Sequence, residues 1–306
     1  MVFFVIDFIL KNQKFTGFFC ASVAAITYGL NPFFGIPLYQ EGLTPFSVLF
    51  YRFSMAAILM GIITVLRKSS FILPRDCRIP AIFAGILMAL TCICWFLAFR
   101  VMDSGISAAL LFVYPVIVSL IMTLFFKEKF SPAISAGMLL AISGAVMICY
   151  PGSGAKVNTA GIIYIMLSAL TYAIYIVMVK TTRLRDISPE TLTFYAMIFS
   201  LPVFLVFLRG GIDLQILPSL KAFINAACLA IFPSMLSFLM AAIAIRHLGP
   251  TRTAILGALE PVTAVTAGVC FFHETMTIKL AIGVAIILIA VIIVICSNKN
   301  SPANAL

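Results

Sequence analysis

Charge is what this chain has least of. Asp and Glu together number 10 and Lys and Arg 20 in 306 residues, and only 2 His and 1 Trp are present. Long polar stretches are missing too, so no loop is long enough to hold a soluble domain. With 63% hydrophobic residues and a mean hydropathy of +1.18, the chain is far too apolar for a soluble globular protein. It reads as a polytopic membrane protein surrounded by lipid bilayer.

The same scarcity excludes several chemistries. No HExxH, GxSxG or phosphate-cradling glycine loop occurs, and His247 and His273 are expected at opposite membrane faces. Neither a metal cluster nor a nucleophile-base pair is therefore expected, nor a cofactor, nor enzymatic activity. The eight cysteines contain no CxxC pair, and seven lie in apolar runs, so they read as small hydrophobes. The net charge of +10 does not build a nucleic-acid interface, because the basic residues sit in short clusters between apolar runs.

Apolar sequence is abundant, and it repeats. The stretch YPVIVSLIMTLFFKEKFSPAISAG, from Tyr114, superposes without a gap on EPVTAVTAGVCFFHETMTIKLAIG, from Glu260, at an offset of 146. Pro115 falls on Pro261, Glu128 on Glu274, Ser131 on Thr277 and Gly137 on Gly283, while Tyr114 is replaced by Glu260. At an offset of 144, Tyr28 matches Tyr172 and Pro45 matches Pro189; at 146, Arg100 matches Arg246.

A span of the hydrocarbon core needs about 20 apolar residues. Punctuation by Pro, Gly and charge predicts ten, at 15–38, 46–66, 79–100, 104–126, 133–150, 160–179, 191–208, 219–245, 251–272 and 277–296. The expected fold is all-α, two five-helix halves at 1–150 and 151–298, followed by a cytoplasmic tail at 299–306. Because five is odd, the second half enters the membrane from the opposite side, the inverted-repeat architecture of secondary transporters. The opening MVFFVIDFIL lacks a preceding positive charge and a small-residue cleavage site, and carries Asp7. It is expected to lie at the interface. With the N-terminus inside, fourteen Lys and Arg fall in inner loops and five in outer ones, so both termini are expected in the cytoplasm of a multi-pass cell-membrane protein.

The segments TPFSVLFYRF, AFRVMDSGISAALLFVYPVIVSLIMTLFFKEKFS and AIRHLGPTRTAILGALEPVTAVTAGVCFFHETMT resemble the two EamA repeats of the drug/metabolite transporter superfamily. The resemblance covers essentially the whole chain. It implies a ten-helix transporter with cytoplasmic termini and alternating access to a central cavity, and leaves the substrate open.

Glu260 is the leading candidate for the cavity, an ionisable side chain roughly ten residues from either end of its span. It either holds a cationic group of a small-molecule substrate or takes up a coupling proton. The alternatives are an internal pair with Arg52 or a hydrogen bond across helices. Arg52 is equally readable as a site residue or as a helix anchor whose stem snorkels outward. Tyr28 and Asn31 share a face before Pro32, and Tyr172 and Tyr175 repeat that spacing. Trp95, Ser234, Ser237 and Tyr114 complete the candidate lining. Aromatic faces beside a carboxylate suit an ammonium or a flat amphipathic solute, although each aromatic taken singly also reads as packing and Trp95 as an interfacial anchor. Pro115 and Pro261 are the candidate hinges. Gly137 and Gly144 permit close packing of the fifth span, either within the chain or in a homodimer through the fifth and tenth spans. Glu128 and Glu274 fit turn and N-cap chemistry. The expected function is export of a small amphipathic metabolite (amino acid, amine or drug-like solute) by alternating access. The alternatives are an uptake carrier for an amine or nutrient and a non-transporting scaffold.

Overall fold

Hydroxyl and amide side chains set where several helices begin. Thr44 accepts from the Ser47 N–H at 3.4 Å and Ser188 from the Thr191 N–H at 3.1 Å, each followed by a proline in the first turn. Asn158 and Ser219 cap two further helices through bonds of 2.9 Å. A cap of this kind contributes about 1 kcal/mol.

The computed structural model describes residues 13–101, 107, 110–128, 132–149, 158–263, 266 and 278–297. In chain order the helices are α1 (Gln13–Tyr28), α2 (Asn31–Gln40), α3 (Pro45–Leu66), α4 (Arg75–Val101), α5 (Tyr114–Phe126) and α6 (Pro132–Cys149). There follow α7 (Thr159–Thr181), α8 (Pro189–Phe207), α9 (Leu220–Leu229), α10 (Ser237–Leu248), α11 (Pro250–Leu256) and α12 (Ile278–Ser297). A 3₁₀ turn occupies Arg183–Asp186 and a π-helical segment, Ala230–Leu236, joins α9 to α10. There is no strand among the described residues. Among the described residues, six helical stretches are long and apolar enough to cross a membrane, and Tyr114–Phe126, Pro132–Met147 and Ala281–Val294 are shorter apolar stretches. The chain is a multi-pass membrane protein. The opening ten residues, the junction at 150 and 151, Ser131, Cys270, His273, Glu274 and the tail lie outside the described residues.

The first expected span is broken. Pro32 has no N–H to give the Tyr28 carbonyl, its partner in a continuous helix, so α1 ends at Tyr28 and α2 starts at Asn31. The Asn31 side-chain amide donates to that carbonyl instead, at 2.8 Å. Pro233 likewise interrupts the eighth span, as a π-helical turn. Turns at 112–113 and 257–258 break the fourth and ninth spans just before Tyr114-Pro115 and Glu260-Pro261.

Helix pairing sorts residues to two ends. The start of α4 lies by the 3₁₀ turn, with the Cys77 thiol donating to the Arg183 carbonyl at 3.4 Å, and Arg246 near the end of α10 docks on the same turn. α4 has 27 residues and is therefore about 40 Å long, so Arg100 lies at the opposite end. That far end also carries Gly42, Thr44 and Gln215, the last bonded to both of the others.

α4 packs on α7 and α10 on α1; α3 packs on α8, α5 on α11 and α6 on α12. α5 also contacts α7 as α11 contacts α1, and α4 contacts α8 as the π-helical segment contacts α3. Within a bilayer such contacts rest on close packing and polar links rather than on the hydrophobic effect. Thr91 and Thr171 share a hydrogen bond of 2.8 Å between α4 and α7, and Ser168 donates to the Thr91 carbonyl at 2.8 Å. A Cβ on Gly137 or Gly144 would stand 2.7 Å from Val294 or Ile287 of α12. The glycine face of the fifth span is thus filled from within the chain. Ile58, Val65, Leu124, Phe125, Leu139, Ile163, Val206 and Ile292 are exposed, a surface that suits lipid and would be a liability in water.

Candidate functional site

The broken helices turn their polar groups toward one another. Tyr28, at the end of α1, stacks on Trp95 of α4 with centroids 5.1 Å apart and lies 6.2 Å from Tyr172 of α7 and 5.7 Å from Phe238 of α10. Tyr172 meets Tyr114 of α5 edge-on at 4.9 Å and Tyr175 face-on at 6.4 Å. Trp95 is buried in this stack. It is no interfacial anchor, and its indole N–H finds no partner among the described residues.

Between Tyr28, Tyr114, Tyr172, Tyr175, Ser237 and Glu260 lies a cavity of about 20 Å³. That is room for one water, not for a metabolite. Glu260 is 7% exposed, and the side-chain hydrogen bonds and salt bridges of the described residues do not include its carboxylate. The Tyr114 hydroxyl donates to the Ala254 carbonyl at 3.0 Å. It lies against Gly257, where a Cβ would stand 1.7 Å from it, and a Cβ on Gly29 would stand 2.5 Å from the Glu260 carbonyl oxygen. Only glycine at these two positions lets Tyr114 and Glu260 approach. Ser237 lines the cavity while its hydroxyl donates to the Ala24 carbonyl at 2.9 Å.

Arg52 occupies the other side of Tyr28. It is 0% exposed, so it does not snorkel: α3 turns it inward, against the anchoring role. Its guanidinium donates to Ser234, to Asn31 Oδ1 at 2.6 Å and to the Pro233 carbonyl at 3.1 Å. The π-helical turn supplies both of the partners from the second half of the chain. The rings of Phe53, Phe96 and Tyr28 lie 5.5, 5.6 and 6.0 Å from the Arg52 Cζ. No carboxylate faces it among the described residues, and the bridge between Arg52 and Glu260 held open as an alternative is not made. A guanidinium at this depth with only neutral partners keeps N–H groups and net charge to offer to an anion.

The structure therefore gathers Tyr28, Asn31, Arg52, Trp95, Tyr114, Tyr172, Tyr175, Ser234, Ser237 and Glu260 around a single aromatic wall. Asn31 and Ser234 serve Arg52, while the four tyrosines, Ser237 and Glu260 share the small cavity. Glu128 lies apart, accepting from the Thr251 hydroxyl at the start of α11 at 2.9 Å. Sequence reasoning missed Phe53 and Phe96, which look like any lipid-facing Phe in an apolar run. It also missed Gly29 and Gly257, whose repeat counterparts are Ala173 and Leu111, so that no symmetry marked them.

A helical membrane protein with buried charges and broken helices at its centre is built as carriers are. The pattern of the EamA-like transporter family matches residues 15–150 and 159–296, and the chain belongs to that family. It is similar to an uncharacterized transporter of Archaeoglobus fulgidus, 28% identical over 67% of this chain and 72% of the relative. It is also similar to the uncharacterized transporter YdfC of Bacillus subtilis, 25% identical over 83% of this chain and 82% of that one. A crystal structure of a protein 15% identical superposes with a TM-score of 0.80 over 93% of this chain and 99% of the other, a likeness of fold alone.

Proposed function

We propose that this membrane transporter is a ten-span secondary carrier that moves a small amphipathic zwitterion of the amino-acid type by alternating access. The carrying observation is the pair of buried opposite charges on the two sides of Tyr28, neither facing a counter-charge among the described residues: Arg52 would take the carboxylate and Glu260 the ammonium, with Tyr28, Tyr114 and Tyr172 against the apolar part.

In this reading 1–150 and 151–298 are inverted five-helix halves, and 299–306 is a cytoplasmic tail. The helix pairing supports it, because exchanging the halves returns the same contacts: third span on sixth becomes eighth on first, fourth on sixth becomes ninth on first. Pro115 and Pro261 act as hinges beside the turns that precede them. Any homodimer through α6 and α12 uses their outward residues, such as Leu139 and Ile292, since the glycine face is occupied.

Export is the expected direction, with Glu260 exchanging the zwitterion for protons across the cytoplasmic membrane. Uptake is the second reading, favoured by a cavity of about 390 Å³ beside Arg100 at the end expected to face outward. Counterflow of a radiolabelled apolar amino acid in proteoliposomes tests the substrate class. The zwitterion should compete, and the matching amine or carboxylic acid alone should compete much less; equal competition by the bare amine would remove Arg52 from the site. Glu260→Gln should keep counterflow of the zwitterion measurable and abolish its acceleration by a pH gradient. A gradient response identical to that of the unchanged protein would end the proton reading.

A further inference from the structure

Arg100 and Arg246 occupy equivalent positions in the two halves, yet their surroundings differ. Arg246 Nη2 donates to the carbonyls of Leu184, at 3.3 Å, and Ile187, and its own carbonyl accepts from Lys180 Nζ at 3.2 Å. These contacts tie the end of α10 to the turn between α7 and α8. Shifting Leu184 and Ile187 back by the offset of 144 that relates Pro189 to Pro45 gives Gln40 and Leu43. Those residues lie at the end of α2 and in the turn to α3, at the far end, where Arg100 sits in the last turn of α4.

At that end the equivalent contacts are not made. Arg100 is exposed and donates to no carbonyl of the described residues. Instead a cavity of about 390 Å³ separates it from the turn, lined by Tyr39, Gly42, Leu43, Thr44, Phe99 and Arg100. The Tyr39 hydroxyl is buried there without a partner among the described residues. One arginine is thus closed on its turn while its counterpart stands open before the matching turn.

We propose that Arg100 and Arg246 are alternating latches: the structure is closed at the Arg246 end and open at the Arg100 end, and in the opposite state Arg100 closes onto the Leu43 and Gln40 carbonyls while Arg246 releases Ile187 and Leu184. The inference rests on the two-halves reading above. Symmetry supplies the second state, since inverted halves that exchange conformations exchange their contacts. A guanidinium bonded to backbone carbonyls suits a reversible latch, because the bonds are charge-assisted, need no particular side chain on the turn and reform in water when broken.

Amide hydrogen exchange of the full chain in lipid nanodiscs tests this without any substrate, so it stays separate from the transport assay. Arg246→Gln should raise exchange in 183–188 by about tenfold, the worth of one charge-assisted bond, and lower it in 40–45 as the population shifts to the other state. Arg100→Gln, which removes only the latch of the opposite state, should leave 183–188 protected and should not lower exchange in 40–45. Arg246→Lys, which keeps the charge and one donor, should give an intermediate exchange profile and guards against misfolding of the Gln variant. Faster exchange at 183–188 with no change at 40–45 in both Arg246 variants would make the contact a local tie and overturn the proposal.

Discussion

Arg52 poses the sharpest question at the scale of one residue. Removing its charge relieves a burial cost of several kcal/mol, and it orphans the Asn31 and Pro233 oxygens at about 1–3 kcal/mol each. The two terms nearly cancel. Arg52→Met should therefore leave the melting temperature of the purified protein within a few degrees of the unchanged one while abolishing zwitterion counterflow. Arg52→Lys keeps the charge but not the fork that spans Ser234, Asn31 and Pro233. It should lower apparent affinity by tenfold or more. A purely structural Arg52 would show the reverse, with melting lost in both variants and counterflow tracking the folded fraction. Much of this site was legible in the sequence, because a lone carboxylate or guanidinium in an apolar span stands out by its cost. What Arg52 touches was not, since its partners Ser234 and Pro233 lie about 180 residues along the chain, on a turn whose π-helical shape alone aims them.

At the scale of elements, span positions could be read from the repeat of apolar runs: nine of the ten expected spans start within four residues of an observed helix start, and the fourth, at 104, begins outside the described residues. The breaks were read less well. Pro32 was visible, but a proline only weakens a helix, and the replacement of its missing bond by the Asn31 amide is what fixes the break. The role of Gly144 was likewise visible without its partner. A Cβ there would stand 2.7 Å from Ile287 and 2.9 Å from the Gly283 carbonyl, and the backbone oxygen cannot yield as a side chain can. Gly144→Leu should force α6 and α12 apart and cost about 1–3 kcal/mol or more, seen as a clear fall in melting temperature. Leu139→Ala, on the exposed face of the same helix, should have little effect. Equal sensitivity at both positions would mean that the outward face is packed against a second copy.

For the whole molecule, most of the described basic residues gather at one end. Arg67, Lys127, Lys180, Arg183, Arg185, Arg246 and Arg252 belong to elements that meet at the end carrying the 3₁₀ turn, whereas Arg100, Arg209 and Lys221 belong to the other. Arg209 is further matched by Asp213 through bonds of 2.5 and 2.6 Å, and its guanidinium holds the exposed Asp213 carboxyl below the ordinary range. Among the described residues the far end therefore carries fewer basic side chains than the near one, which is the condition for facing outward. An alkaline phosphatase fusion after Gln215 should be active and a green fluorescent fusion there dark, while fusions after Ser70 should give the opposite pair. The fusion points sit in the turns after α8 and α3, at opposite ends of the same helix pair, so one topology fixes both results. The reversed pattern would put the 390 Å³ cavity at Arg100 on the cytoplasmic side, making it the place where an exported solute enters rather than where it leaves. Identical signals at the two points would mean that α4 to α8 do not cross the membrane as a unit, and the inverted halves would fall with them.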